Sequence, residues 1–261
     1  MEVILNRDSA EASRRAAALI AHEVRRKPDT VLGLATGSTP LQVYQNLIHI
    51  HREEGLSFAG VTTFNLDEYI GLGMDHPQSY HAYMREHLFR HLDLSPGKCH
   101  LPNGLAEHVP EECDRYEQRI RDAGGIDLQL LGLGADGHIG FNEPISSLAS
   151  RTRIKTLTPR TREDNARFFE RAEDVPHHVL TMGIGTILES RRIVLLAFGE
   201  AKAKAVANMI EGPLSASNPA SALQMHPRVH VFLDEAAAGR LTRADYYRWV
   251  YEQKPDWQRT P

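Results

Sequence analysis

Val31-Leu32-Gly33-Leu34-Ala35-Thr36-Gly37-Ser38-Thr39-Pro40-Leu41 is a short apolar run that passes through a Gly/Ser/Thr loop into a helix start. The apolar run predicts a buried strand. Pro40 suits the first helical position, where a missing N–H costs nothing, and Leu41, Tyr44, Leu47 and Ile48 follow at helical spacing. The same alternation recurs along the chain. Val61 to Leu66, Leu128 to Leu133, Ile193 to Phe198 and Val229 to Leu233 read as further strands. Residues 9–27, 79–92, 111–122, 160–170 and 201–211 carry helical patterns between them. Continuous apolar strands separated by helices imply a parallel sheet with helices on both faces. The expected fold is α/β, a three-layer sandwich on a mostly parallel sheet. No linker or repeat divides the chain, so residues 1–261 are expected to form a single domain. A polar helical stretch near 158–178 reads as a mobile lid, and residues near 235–261 as a helical tail.

Composition excludes several function classes. The 261 residues include 30 Lys and Arg against 34 Asp and Glu, a formal charge of −4. A nucleic-acid binder would need a basic face for the phosphates, so no nucleic-acid partner is expected. No apolar run approaches the ~20 residues of a transmembrane helix, so no membrane partner is expected. The start, Met-Glu-Val-Ile-Leu-Asn-Arg-Asp, shows no basic region followed by an apolar stretch. No secretory signal is therefore expected, and the expected location is the cytoplasm. Cys99 and Cys113 form no C-x-x-C pair and read as reduced thiols.

In a parallel sheet, ligands bind beyond the carboxyl ends of the strands. Three segments lie there. The first is the loop Thr36-Gly37-Ser38-Thr39 before the Pro40 helix. Free N–H groups at a helix start suit a phosphate, and Gly37 lets the backbone approach an anion. Taken alone, the loop is either that seat or an ordinary turn capped by Thr39; it is not a Walker loop, because no G-K-[ST] follows. The second is Asn65-Leu66-Asp67-Glu68-Tyr69, whose adjacent carboxylates form either a solvated turn or an acid–base site with only one of them facing a ligand. The third is Gly132-Leu133-Gly134-Ala135-Asp136-Gly137-His138-Ile139-Gly140-Phe141-Asn142-Glu143-Pro144. Its G-x-G-x-x-G should open a long helix if it bound a dinucleotide, but Pro144 interrupts. A His flanked by two carboxylates can move protons near neutral pH, so Asp136, His138 and Glu143 are the candidates here. No H-E-x-x-H or G-x-S-x-G is present, and His87 and His91 lack a third ligand, so no metal site is expected. Arg167 and Lys202 read as solvated charges or anion partners. Lys202 falls in the first turn of its predicted helix, a poor place for a cation unless an anion is there too.

The segments L-A-T-G-S-T-P, T-T-F-N-L-D-E-Y, H-P-Q-S-Y, G-A-D-G-H-I-G-F-N-E-P, S-R-T-R-I-K-T-L and N-A-R-F-F, in this order, closely resemble the glucosamine-6-phosphate deaminase family. The resemblance runs from about residue 30 to residue 235. It implies a Rossmann-like fold and conversion of D-glucosamine 6-phosphate and water to D-fructose 6-phosphate and ammonia. It implies no cofactor, because the aldose–ketose shift moves only protons. By the resemblance, His138 assists ring opening, oriented by Asp136 and Glu143, and Asp67 shuttles a proton between C2 and C1. Gly37, Ser38, Thr39, Arg167 and Lys202 would hold the substrate phosphate. Ser146, Arg153, Lys155 and Thr156 match the effector site of members activated by N-acetylglucosamine 6-phosphate, some of which are homo-oligomers. The tail from Arg240 to Pro261 departs from that pattern, with Tyr246, Tyr247 or neither as the effector-site Tyr.

Three rivals stand beside this reading. The related 6-phosphogluconolactonases share the phosphate loop and a D-G-H loop, but not D-E-Y with F-N-E-P, and a lactonase has no use for Asp67. Another sugar-phosphate isomerase activity is the second rival. A non-catalytic sugar-phosphate sensor would carry a DNA-binding module and lose acid–base residues.

Overall fold

The structure, a computed structural model, describes residues 1–255 and 258. Its ten strands and nine α-helices, among the described residues, run in the order β1 (Glu2–Asn6), α1 (Ser9–Arg26), β2 (Val31–Leu34), α2 (Leu41–Glu54), β3 (Thr62–Asn65), β4 (Asp67–Tyr69), α3 (Tyr80–His87), β5 (Cys99–His100), α4 (Val109–Asp122), β6 (Leu128–Gly132), β7 (Arg153–Thr156), α5 (Pro159–Ala166), β8 (His178–Thr181), α6 (Ile184–Leu188), β9 (Ile193–Ala197), α7 (Ala203–Ile210), β10 (Val229–Asp234), α8 (Glu235–Ala238) and α9 (Ala244–Glu252).

Seven strands form one sheet in the order β1-β10-β9-β6-β2-β3-β5, every pair parallel. Successive side chains of a strand point to opposite faces, and here both faces are covered. Ile193 and Leu195 of β9 pack with Tyr116, Ile120, Val206 and Met209 of α4 and α7. Val194 and Leu196 pack with Leu19, Ile20, Val43 and Leu47 of α1 and α2. Covering on both sides is why the strands read as unbroken apolar runs. Each fully buried Leu, Ile or Val contributes roughly 1.5–3 kcal/mol. Helix starts are tied locally. Asp8 Oδ1 accepts from the Glu11 N–H at 2.7 Å, and Ser79 Oγ accepts from the Ala82 N–H at 3.1 Å.

The strand order reverses direction between β2 and β6: the chain continues outward from β2 through β3 to β5, and from β6 through β9 and β10. Loops that follow β2 and β6 therefore diverge and leave a crevice. At the base of the crevice the two sides stand close: a Cβ built on Gly132 at the end of β6 would lie 4.0 Å from Thr39 Cβ.

Several elements differ from the sequence reading. The edge strand β1 and the short β5 join the large sheet, and a second, antiparallel sheet β4-β8-β7 lies beside it. The helix expected over 79–92 stops at His87, because Leu88 leaves helical backbone (φ −143°), and a 3-10 turn follows at Phe89–His91. The stretch near 158–178 holds α5 and a 3-10 turn at Ala172–Asp174. The expected C-terminal helical tail contains α8 and α9; positions 256, 257 and 259–261 lie outside the described residues. Cys99 and Cys113 are free thiols. Among the described residues no helix is long and apolar enough to cross a membrane.

Candidate active site

The loop after β2 carries the first group of predicted residues. Pro40 is the cap of α2 rather than its first turn, and neither Thr39 nor any other side chain caps the helix. No acidic residue sits in that first turn. The amides of Leu41, Gln42 and Val43 are thus left at the positive end of the helix without an intrahelical acceptor, the arrangement that favours an anion. Gly37 has φ +98°, a backbone that L side chains rarely adopt, and open space where a Cβ would be. Ser38 is exposed and Thr39 half-buried. The loop is braced from behind: Tyr83 Oη donates to the Gly37 carbonyl at 2.5 Å, and Tyr44 Oη to that of Ala35.

The loop after β6 brings Asp136 and His138 together. His138 Nδ1 lies 2.7 Å from Asp136 Oδ1. The His138 backbone N–H donates to the same Oδ1 at 3.1 Å. Burial alone would raise the Asp136 carboxyl, but the His138 contacts outweigh it and bring the carboxyl to about 2. Asp136 therefore stays ionised beside the imidazole at every physiological pH. The nearby glycine has a specific job: a Cβ on Gly134 would fall 2.3 Å from the His138 ring. Part of the Gly-rich signal thus serves the fold of the loop itself, not only approach to a ligand.

Asp67 opens β4 and is 4% exposed. The small sheet puts it there. Asp67 pairs with Thr181 of β8, and β8 also holds the F-N-E-P segment. The Phe141 N–H donates to Thr181 Oγ1 at 3.1 Å, and Asn142 Nδ2 donates to the Met182 carbonyl at 2.8 Å. Asp67 Oδ2 consequently lies 3.7 Å from where a Gly140 Cβ would be. No hydrogen-bond donor or cation among the described residues offsets its burial. Desolvation first, then the neighbouring Glu68 charge, push its carboxyl well above the usual carboxylate range. Raised in this way, a buried carboxyl becomes a stronger base when ionised. Glu68 faces the other side of β4, so the two adjacent carboxylates do diverge.

Glu143 is placed differently from the sequence expectation. It is 4% exposed, yet it makes no ion pair with His138. Its Oε1 accepts instead from Thr161 Oγ1 at 2.6 Å and Thr158 Oγ1 at 3.3 Å, which ties it to the start of α5, and its Oε2 is buried with no hydrogen-bond partner among the described residues. Arg167 ends α5, exposed, with its guanidinium 4.7 Å from the Phe168 ring centroid. Lys202 lies past the carboxyl end of β9, half-buried, closing a 3-10 turn and capping α7 rather than standing inside a helical first turn. Of the residues matched to an effector site, Ser146 is buried, and Arg153, Lys155 and Thr156 are on the edge strand β7. Arg153 donates to Asn142 Oδ1 at 2.8 Å, and burial lowers its basicity.

Several contributing residues were not singled out from sequence. Tyr69 packs tilted against Tyr80 with centroids 4.8 Å apart, meets Phe141 at 6.3 Å and lies T-shaped to Phe169 at 5.7 Å. This cluster joins D-E-Y, F-N-E-P and the stretch after α5. A cavity of about 280 Å³ opens beside Gly37 and Ser38, bounded by Tyr80, Tyr83, Asn165 and Phe169. The aromatics were visible in the motifs, but nothing in their spacing showed that they meet. Among the described residues, no three His, Cys, Asp or Glu side chains gather to hold a metal ion.

Residues 7–231 match the family described as glucosamine-6-phosphate isomerases/6-phosphogluconolactonase. The chain belongs to this family. It is similar to the glucosamine-6-phosphate deaminase of Arthrobacter sp. (strain FB24), 55% identical over 99% of both chains, and to that of Rhodococcus opacus (strain B4), 53% identical over 99% of both. A solved monomeric glucosamine-6-phosphate deaminase is 49% identical, with a TM-score of 0.90 over 92% of this chain and all of that one. The 6-phosphogluconolactonase of Trypanosoma cruzi shares the fold, with a TM-score of 0.73 over 92% of this chain and 97% of that one, at 21% identity. The fold is thus common to proteins named for both activities, and fold alone does not choose between them.

Proposed function

We propose that the protein converts D-glucosamine 6-phosphate and water to D-fructose 6-phosphate and ammonia. The observation that carries this reading is Asp67: a buried, unpaired carboxyl held against the loop of the Asp136–His138 pair, at the crevice that also exposes the start of α2. Full-length identity of 55% to a deaminase supports it. Ring hydrolysis of a lactone would leave Asp67 without work.

The substrate phosphate sits on the loop of Gly37, Ser38 and Thr39, with Lys202 and Arg167 as its cations. His138, kept in orientation by ionised Asp136, assists opening of the pyranose. Asp67 then takes the C2 proton of the open chain and returns it to C1. O1 gains a proton as the enolamine forms, and the amine nitrogen loses one as C1 is reprotonated; the C2 amine is then an imine, and water hydrolyses the C=N bond to give the C2 ketone and ammonia. Only protons and water move, so the steps call for no redox cofactor. Glu143 acts from the lid side, through Thr158 and Thr161. Residues 158–178 form the lid, supported by the contact of Phe169 with Tyr69 over the cavity. The finer context of this reading is amino-sugar catabolism in the cytoplasm. An effector site for N-acetylglucosamine 6-phosphate on Ser146, Arg153, Lys155 and Thr156, and a homo-oligomer, draw support from the family resemblance alone.

Incubation with glucosamine 6-phosphate is the test. Ammonia and fructose 6-phosphate appear in equal amounts, with EDTA present. Failure to release ammonia refutes the proposal, and activity abolished by EDTA and restored by zinc refutes its metal-free chemistry.

A further inference from the structure

Glu68 does no chemistry in the reading above, yet it is fully buried. Its carboxylate is one of the most heavily bonded groups in the molecule. Oε1 accepts from the backbone N–H of Tyr69 at 2.8 Å and of Tyr80 at 3.0 Å. Oε2 accepts from the His81 N–H at 3.1 Å and faces His81 Nδ1 at 2.9 Å. Two of the free amides at the start of α3 are therefore satisfied by a side chain from β4, and Ser79 satisfies the next, that of Ala82. A negative charge at a helix start is favoured by the aligned peptide dipoles, which offsets the cost of burying it.

The same helix reaches the substrate loop. Tyr83 Oη donates to the Gly37 carbonyl at 2.5 Å, and the Tyr80 ring lies against Tyr69 with centroids 4.8 Å apart. One carboxylate thus ties together the strand of Asp67, the aromatic wall and the phosphate loop. The strand needs such a tie. β4 is three residues long, and no hydrogen-bond donor among the described residues holds the Asp67 carboxyl, so its position is that of its backbone. Side chains alternate across a strand, which puts Glu68 directly behind Asp67.

We propose that Glu68 and His81 are a positioning pair: clamped on the N-terminus of α3, Glu68 fixes β4 so that Asp67 meets C2 of the sugar. The inference rests on the reading of Asp67 as the proton-shuttling base. A displacement of ~1 Å at a reacting group can cost on the order of a hundredfold in rate.

The experiment uses the full chain and glucosamine 6-phosphate, unlabelled and deuterated at C2. Glu68→Gln keeps the shape, but its NH2 confronts N–H donors, so one end of the clamp opens. Its kcat falls about ten- to a hundredfold, KM changes little, and the isotope effect rises because proton transfer becomes the slow step. His81→Asn keeps a donor near the Nδ1 position and stays close to wild type, whereas His81→Leu moves in the direction of Glu68→Gln. A residue that only stabilised the fold would reduce the folded fraction and leave both kcat per folded molecule and the isotope effect alone; that result for Glu68→Gln overturns the proposal. Should Glu68→Gln not fold, equal isotope effects in His81→Asn and His81→Leu overturn it. Wild-type protein that releases no ammonia refutes the underlying function and the positioning role with it.

Discussion

Replacing Asp67 with Asn keeps the size of the side chain and removes the base. Loss of a general base costs about 10²- to 10⁴-fold in rate, which at ~1.36 kcal/mol per decade is roughly 2.7–5.4 kcal/mol of barrier. The loss falls on the C2–C1 proton transfer and spares the phosphate loop, so KM for the sugar phosphate changes little. Stability moves the other way with pH. The folded carboxyl titrates above its unfolded value of ~3.9, because burial and the Glu68 charge oppose ionisation. Across that window the folded state holds more protons than the unfolded state, so the wild type loses stability as pH rises from about 4 towards the raised folded value. The amide of the variant does not titrate. The difference in Tm, Asp67→Asn minus wild type, therefore grows with pH over this range; a constant cost of the buried amide cancels from the trend. The assays are turnover, incorporation of solvent deuterium into the product, and melts from pH 4 upward. Near-normal deamination by Asp67→Asn would show the D-E-Y carboxylate to be a packing residue, and a Tm difference independent of pH would show that Asp67 is not desolvated as described.

Lys202→Ala weakens substrate binding: a charge-assisted phosphate contact is worth about 1.5–3 kcal/mol, so KM for the sugar phosphate rises roughly ten- to a hundredfold, and an unchanged KM removes Lys202 from the site. Gly134→Ala brings a Cβ to 2.3 Å from the His138 ring; the ring is displaced, and kcat falls by on the order of a hundredfold in a protein whose circular dichroism is unchanged. Thr161→Val deletes the 2.6 Å bond to Glu143 Oε1, leaving that buried carboxylate poorly partnered at a cost of about 1.5–3 kcal/mol, read as a lowered urea midpoint with unchanged slope.

The large sheet was legible because its physics is local and repetitive. Strands covered on both faces must be apolar throughout, as in Ile193–Ala197, and each helix between them shows its own period. β1 was missed because Glu2 and Asn6 flank only three apolar residues. β4, β7 and β8 were missed because they are three or four residues long and half polar, as in Arg153–Thr156. Such strands exist only because a partner supplies their hydrogen bonds.

The site divides along the same line. Asp136 and His138 sit two residues apart, and chain connectivity alone keeps them in one loop; the turn of the Gly/Ser/Thr loop into the helix after Pro40 is likewise set by the local backbone. Sequence by itself thus determined the α/β class, the strand–loop–helix passage before Pro40 and the closeness of Asp136 and His138. Only the tertiary structure decided that β8 brings Asp67 beside Gly140, that Glu143 turns to Thr158 and Thr161 instead of His138, and that Glu68 clamps α3. Each of these depends on segments far apart in the chain, and no local period encodes a contact made between two separate elements after they have packed.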